Sequence, residues 1–166
     1  MSSPIVARAA PERQLEKFVG KFDPGVAQLV RSARTALRKR MPGAIEQIYD
    51  NYNFLAIGFC TTERTSDCVV SLAAGAKGIV LSFYHGAGLS DPHKILLGSG
   101  KQNRFIWLED AKTLAQPAIK QLMGEAIAQA AAPMPDPDKG KVTIKSISAK
   151  QRSRRATKTS VQRAKT

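Results

Sequence analysis

Between Gly43 and Tyr84 the chain leaves no room for a helix. Four apolar runs (Ile45 to Asp50, Phe54 to Cys60, Cys68 to Ala73 and Ile79 to Tyr84) follow one another across connectors of a few residues each. The runs are rich in branched and aromatic side chains. The connectors, Asn51-Tyr52-Asn53, TTERTSD over 61–67 and Gly75-Ala76-Lys77-Gly78, are polar or glycine-rich, which is the alternation of strand and turn. Parallel neighbours need a crossover of about a dozen residues or more, so these strands are predicted to pair antiparallel.

The flanks carry a helical period instead. Asp23-Pro24 is a start signal, an N-cap followed by proline at the first helical position. Val26, Leu29, Val30, Ala33, Leu37 and Met41 then recur at helical spacing until Pro42-Gly43 stops the helix. Arg31, Arg34 and Arg38 fall on the opposite face and read as a solvated polar surface. Pro11 to Gly20 reads as a shorter helix sharing Leu15, Phe18 and Val19 on one face, with residues 1–10 as a mobile leader before it. Beyond the four strands, Arg104 to Leu108 adds a fifth. Pro117 opens a closing helix with Leu122, Met123, Ala126 and Ile127 on its apolar face. The three prolines from Pro133 to Pro137 end it. The expectation is one α+β domain over 11–132, an antiparallel sheet of about five strands packed by N-terminal and C-terminal helices.

The net charge of +13 resembles a nucleic-acid signature until it is located. Ten of the 26 lysines and arginines lie in Lys139 to Thr166, where there is no acid; the rest of the chain holds 16 basic against 13 acidic groups. With few large apolar residues, the segment from 133 reads as a Pro-rich break and then a disordered basic tail. Lys150, Arg152, Arg154, Arg155 and Lys158 are its candidate contacts for weak, non-specific nucleic-acid association, which needs only charge. No apolar run is long enough to span a membrane, no secretory signal pattern is present, and the two cysteines read as free thiols. The predicted location is cytoplasmic.

Candidate chemistry gathers in two places. Tyr49, Asp50, Tyr52 and Asn53 put two phenols, a carboxylate and an amide at one strand junction, a plausible lining for a small-ligand pocket. Gly98-Ser99-Gly100-Lys101 invites comparison with a phosphate loop, but Ile95 stands where the first glycine belongs and Gln102 replaces the final hydroxyl residue. It reads as a turn whose backbone and the cations Lys101 and Arg104 meet an anion where the Tyr49–Asn53 junction approaches it. His85, Asp91 and His93 lack a fourth ligand at zinc spacing and predict no metal site. Cys60 and Cys68 face each other across a polar turn. No GxSxG elbow and no acid-oriented histidine nominates a nucleophile or base, so no cofactor or catalytic residue is assigned.

The stretches YDNYNFLAIGF and LSFYHGAGLSDPHKILLGSGKQNRFIWL, followed by a helix ending near Ala130, resemble the YdhG-like family of domains of unknown function. The matching positions include Tyr49, Tyr52 and Asn53, then Gly86, Leu89, Asp91 and Pro92, then Gly98, Gly100, Lys101 and Arg104. The resemblance covers about Phe22 to Ala131. It implies an α+β fold with a curved antiparallel sheet packed by helices. Some members are named intracellular iron chaperones, partners of frataxin-like proteins, so iron delivery is what the resemblance implies about function. The residues by themselves point to a binding or accessory module for a small anionic ligand or a protein partner.

Overall fold

The computed structural model describes residues 4–156. Its elements run α1 (Pro4–Val19), α2 (Pro24–Arg40), β1 (Ile45–Asp50), β2 (Leu55–Cys60), β3 (Cys68–Gly75), β4 (Gly78–Phe83), β5 (Arg104–Leu108), α3 (Pro117–Ala128) and β6 (Lys141–Ile147). The class is α+β. The sheet has six strands in the order β5-β4-β3-β2-β1-β6, an antiparallel meander closed by β6 running parallel to β1.

Strand alternation decides which face is covered. Val70, Leu72 and Ala74 of β3 and Ile79, Leu81 and Phe83 of β4 are buried, whereas Ser71, Ala73, Val80 and Ser82 between them stay partly open. Leu55, Ile57 and Phe59 of β2 and Ile48 of β1 extend the same buried face. Against it lie Ala27, Val30, Ala33 and Leu37 of α2 and Ile119, Leu122 and Met123 of α3. Leu15, Phe18 and Val19 of α1 and Val142 of β6 complete this core. All three helices therefore serve one face of the sheet; the other face has no helical layer, and the 61–67 connector folds onto its β1–β2 side, where Gln47 is buried and donates to the Glu63 carbonyl oxygen. Among the described residues no helix is long and apolar enough to cross a membrane.

Three expectations change. The first helix begins at Pro4 and carries Pro11 inside it, so 4–10 is no leader detached from the domain. Arg34 is not solvated: its side chain is 12% exposed, donating to both carboxylate oxygens of Glu12 at 2.7 and 2.8 Å and to Glu46 at 2.7 Å. Burial alone lowers its pKa, but the two carboxylates outweigh burial and hold it raised, so the guanidinium stays charged. Arg38 reaches the same two acids, and the network ties α1, α2 and β1 together.

The third change is the largest. The basic tail is part of the domain as far as Ala156. The alternation Val142, Ile144 in KVTIKSI puts one side against the core while the lysines face water, and pairing with β1 satisfies the backbone. To reach that edge, the Pro-rich segment passes directly over Gly43. A Cβ there would collide with the Pro135 carbonyl oxygen and stand 2.6 Å from that of Asp136. Thr157 onward, including Lys158, lies outside the described residues.

Candidate functional site

The two halves of the expected anion site do not meet. Asp50 pairs with Leu55, Leu55 with Ala74, Ala74 with Ile79 and Ile79 with Leu108, so the Tyr49–Asn53 junction shares its end of the sheet with the last residue of β5. Arg104 is the first residue of β5 and pairs with Phe83, at the opposite end and four strands away. Its guanidinium donates to the carbonyl oxygens of Gly100 and Asn103, closing its own loop. Lys101 is exposed on that loop. The site as predicted from sequence is therefore incorrect: the cations follow a turn at the wrong end of a strand.

Nor does the junction act as one unit. Tyr49 faces the open side, its hydroxyl 3.2 Å from Gln47 Oε1 and 3.1 Å from Thr65 Oγ1. Asp50 faces the other way and is fully buried. Its carboxylate accepts from Lys21 Nζ at 2.7 Å and Arg154 Nη2 at 2.9 Å, and Gln151 Nε2 donates to its carbonyl oxygen at 3.0 Å. Burial pushes the Asp50 carboxyl up, but hydrogen bonds from Lys21, Gln151 and Arg154 outweigh it and hold the group below its ordinary value.

Arg154 is 4% exposed and also donates to the carbonyl oxygens of Asn51 and Tyr52, locking the C-terminal segment across the hairpin between β1 and β2. Arg155 and the Ala156 N–H turn to Asp23. Arg154 is thus withdrawn from the proposed nucleic-acid contacts, and Arg155 is drawn towards a carboxylate. Arg152 remains, its guanidinium 5.6 Å from the centroid of the exposed Tyr52 ring.

The remaining motif residues are accounted for locally. The Asp91 carboxylate accepts from the backbone N–H groups of Ile95 and Leu96 at 3.0 and 3.1 Å, capping a turn in which Asp91 and Lys94 both adopt positive φ. His85 Nε2 lies 2.9 Å from the Ser66 carbonyl oxygen, beside a cleft of about 70 Å³. That volume holds a few waters rather than a metabolite. Among the described residues no three His, Cys, Asp or Glu side chains gather to hold a metal. Cys60 and Cys68 are buried, free, and direct cross-strand partners.

What the fold does build is a trough on the open face of the sheet. The register aligns Tyr49, Ala56, Ala73, Val80 and Trp107 in one row across five strands. Gln47, Gly58, Ser71, Ser82 and Phe105 form the next. The first row places small residues at the centre and large ones at the flanks, so the middle of the sheet is low there and its borders are high; in the second, Gln47 and Gly58 are buried, Gly58 beneath the Cys60 and Cys68 sulfurs. Towards the hairpin end the trough widens into a groove of about 510 Å³. Trp107, 52% exposed, lines its β5 side, and Phe54, 39% exposed, lines its β2 side. Ala73, Gly78 and Val80 lie between. Gly78, at φ +133°, turns the hairpin that carries Lys77 onto the rim. The charged residues lining the groove are Lys77 and Arg152, both cations. Of the predicted small-ligand residues only Asn53 belongs to it, and of the predicted nucleic-acid contacts among the described residues Arg152 does.

One signal for this site was present in the sequence. In Phe105-Ile106-Trp107-Leu108, strict alternation puts Trp107 on the face opposite Ile106 and Leu108. The Asp50–Arg154 pair, 104 residues apart, had no such local signal. No protein-family model, curated protein or solved structure matches the chain.

Proposed function

We propose that this chain is a binding module whose ligand is a ring-bearing anion held in the groove on the open face of the sheet. One observation carries the reading. Large aromatic surfaces, Trp107 and Phe54, are held partly exposed on either side of a floor of small residues, and the charged groups on the rim are cations. Leaving a tryptophan half in water forgoes burial worth about 1.5–3 kcal/mol for a large apolar side chain. An aromatic ligand face recovers that term on binding, and Lys77 and Arg152 supply attraction for a negative group. The groove's volume falls in the range of small-molecule sites, roughly 300–1,000 Å³. Its lining offers no nucleophile beside a base, which supports binding rather than catalysis. Iron delivery, implied by the family resemblance, gains no support from the disposition of carboxylates and histidines.

Trp107 is the only tryptophan, so its fluorescence reports on this groove alone. Titration with nucleoside monophosphates, phenyl phosphate and indole-3-carboxylate is expected to give saturable quenching with at least one of them. The response weakens in Lys77→Ala with Arg152→Ala, and inorganic phosphate alone gives none. A flat response across the whole panel sinks the reading.

A further inference from the structure

Resting on that reading, we infer that the ring-bearing anion is single-stranded nucleic acid, its bases stacked on Trp107 and Phe54 and its phosphates met by Lys77 and Arg152.

The shape favours a polymer over a small molecule. The groove is one end of a trough that crosses five strands, and four strand spacings of roughly 4.8 Å make it about 19 Å across. Floor residues such as Ala56, Ala73 and Gly78 let a flat ring approach the sheet closely, and the flanking aromatic rings offer faces to stack on. That is the arrangement by which sheet platforms hold unpaired bases, and it tolerates any base because each has a π-face. Arg152 adds a third surface: its guanidinium already lies over the exposed Tyr52 ring, and a guanidinium plane stacks bases as an aromatic ring does. A duplex keeps its base faces inside its own stack and has nothing to offer Trp107.

Charge points the same way. The lining cations stand without a lining carboxylate. The chain reaches the rim at Arg152 and Ser153, and its sequence from there to the C-terminus adds Lys158, Arg163 and Lys165 with no acid. An acidic protein surface satisfies the same charges but leaves the separated ring faces unexplained, so it is the rival outcome.

The test is fluorescence anisotropy of a labelled mixed-sequence dodecamer, as single-stranded RNA and DNA, with the full chain. The dodecamer is expected to bind at least about 10-fold tighter than a nucleoside monophosphate, because several bases stack instead of one. Trp107→Ala is expected to weaken it by about 5- to 150-fold, the equivalent of one lost stacked base. Trp107→Phe, which keeps a ring, restores most of the affinity and separates stacking from misfolding. Lys77→Ala with Arg152→Ala lowers the slope of log K against log salt by about 0.7 per lost contact. Removing two cations from the helical side instead, Lys39→Ala with Lys120→Ala, leaves the Trp107 dependence intact. If mononucleotides quench Trp107 but the dodecamer binds no tighter, this inference fails while the binding-module reading stands. Equal affinity for duplex and single strand, with Trp107→Ala harmless, reduces the interaction to charge and overturns it. Displacement of a bound monophosphate by an acidic peptide but not by the dodecamer gives the groove to a protein.

Discussion

Asp50 has no exposed surface, yet it is ionised between Lys21 and Arg154. Its neighbours in sequence, two tyrosines and two asparagines, make it look like a ligand-binding carboxylate, and tertiary contacts make it a structural one. Replacing it by asparagine leaves the Arg154 guanidinium, itself nearly inaccessible, without a counter-charge. Breaking a buried pair from one side costs about 3–5 kcal/mol. Asp50→Asn is therefore expected to lower stability by about 3 kcal/mol at neutral pH in urea unfolding. The folded-state carboxyl titrates below its ordinary value of 3.8, so native Asp50 holds fewer protons than unfolded Asp50 between those two pKa values. Its stabilisation is complete above the unfolded value and fades as pH falls through the folded one. The gap between wild type and Asp50→Asn should accordingly shrink from pH 7 to pH 3; a gap that grows on acidification refutes the ion-pair account. Lys101 and Arg104 show the converse error. Three residues apart and both cationic, they look like partners, yet Arg104 is spent on Gly100 and Asn103 within its own turn.

At the scale of elements, the decisive piece is β6 with the segment that follows it. Gln151 and Arg154 return to Asp50, and the Arg152 N–H donates to the Tyr52 carbonyl oxygen at 2.8 Å, so 149–156 straps the β1–β2 hairpin to the start of α2. A chain ending at Ala156 keeps every one of these contacts. One ending at Ser148 keeps β6 but strands Asp50 with Lys21 alone, whose side chain is 41% exposed. The shorter chain is expected to lose about 3 kcal/mol, or roughly 6–12 °C in thermal midpoint for a domain of this size. Equal midpoints for the two truncations contradict the strap. The helices and the meander were readable from period and punctuation: α2 starts at Pro24 and α3 at Pro117, as their prolines indicate. The sixth strand was not, because a high density of lysine and arginine matches the composition of unfolded segments. A two-sided edge strand needs only one apolar face, here Val142 and Ile144.

For the whole molecule, covering a sheet on one side sets both its stability and its availability. Cys60 and Cys68 lie on β2 and β3, interior strands of the six, and on the face away from the helices. The neighbouring Cys68 side chain, then burial, pushes Cys60 well above the ordinary thiol range, which suppresses the reactive thiolate. Both residues are buried, so native thiol labelling is expected to be far slower than labelling in denaturant. Both thiols should react promptly in denaturant. Fast native labelling of either cysteine disproves this.

Periodicity, turn chemistry and the prolines are local quantities, and they determined the class of the fold, the meander, the limits of α2 and the start of α3. The alternation of Phe105 to Leu108 even determined that Trp107 leaves the core, although its neighbours across the sheet stayed hidden. What those local quantities cannot hold is register summed over several strands. The placing of Arg104 at the opposite end from Tyr52, the row of small residues running from Ala56 to Val80, and the meeting of Asp50 with Arg154 each depend on pairings between distant segments. Such pairings are selected by the burial and hydrogen bonding of the assembled sheet, which no single stretch of sequence contains.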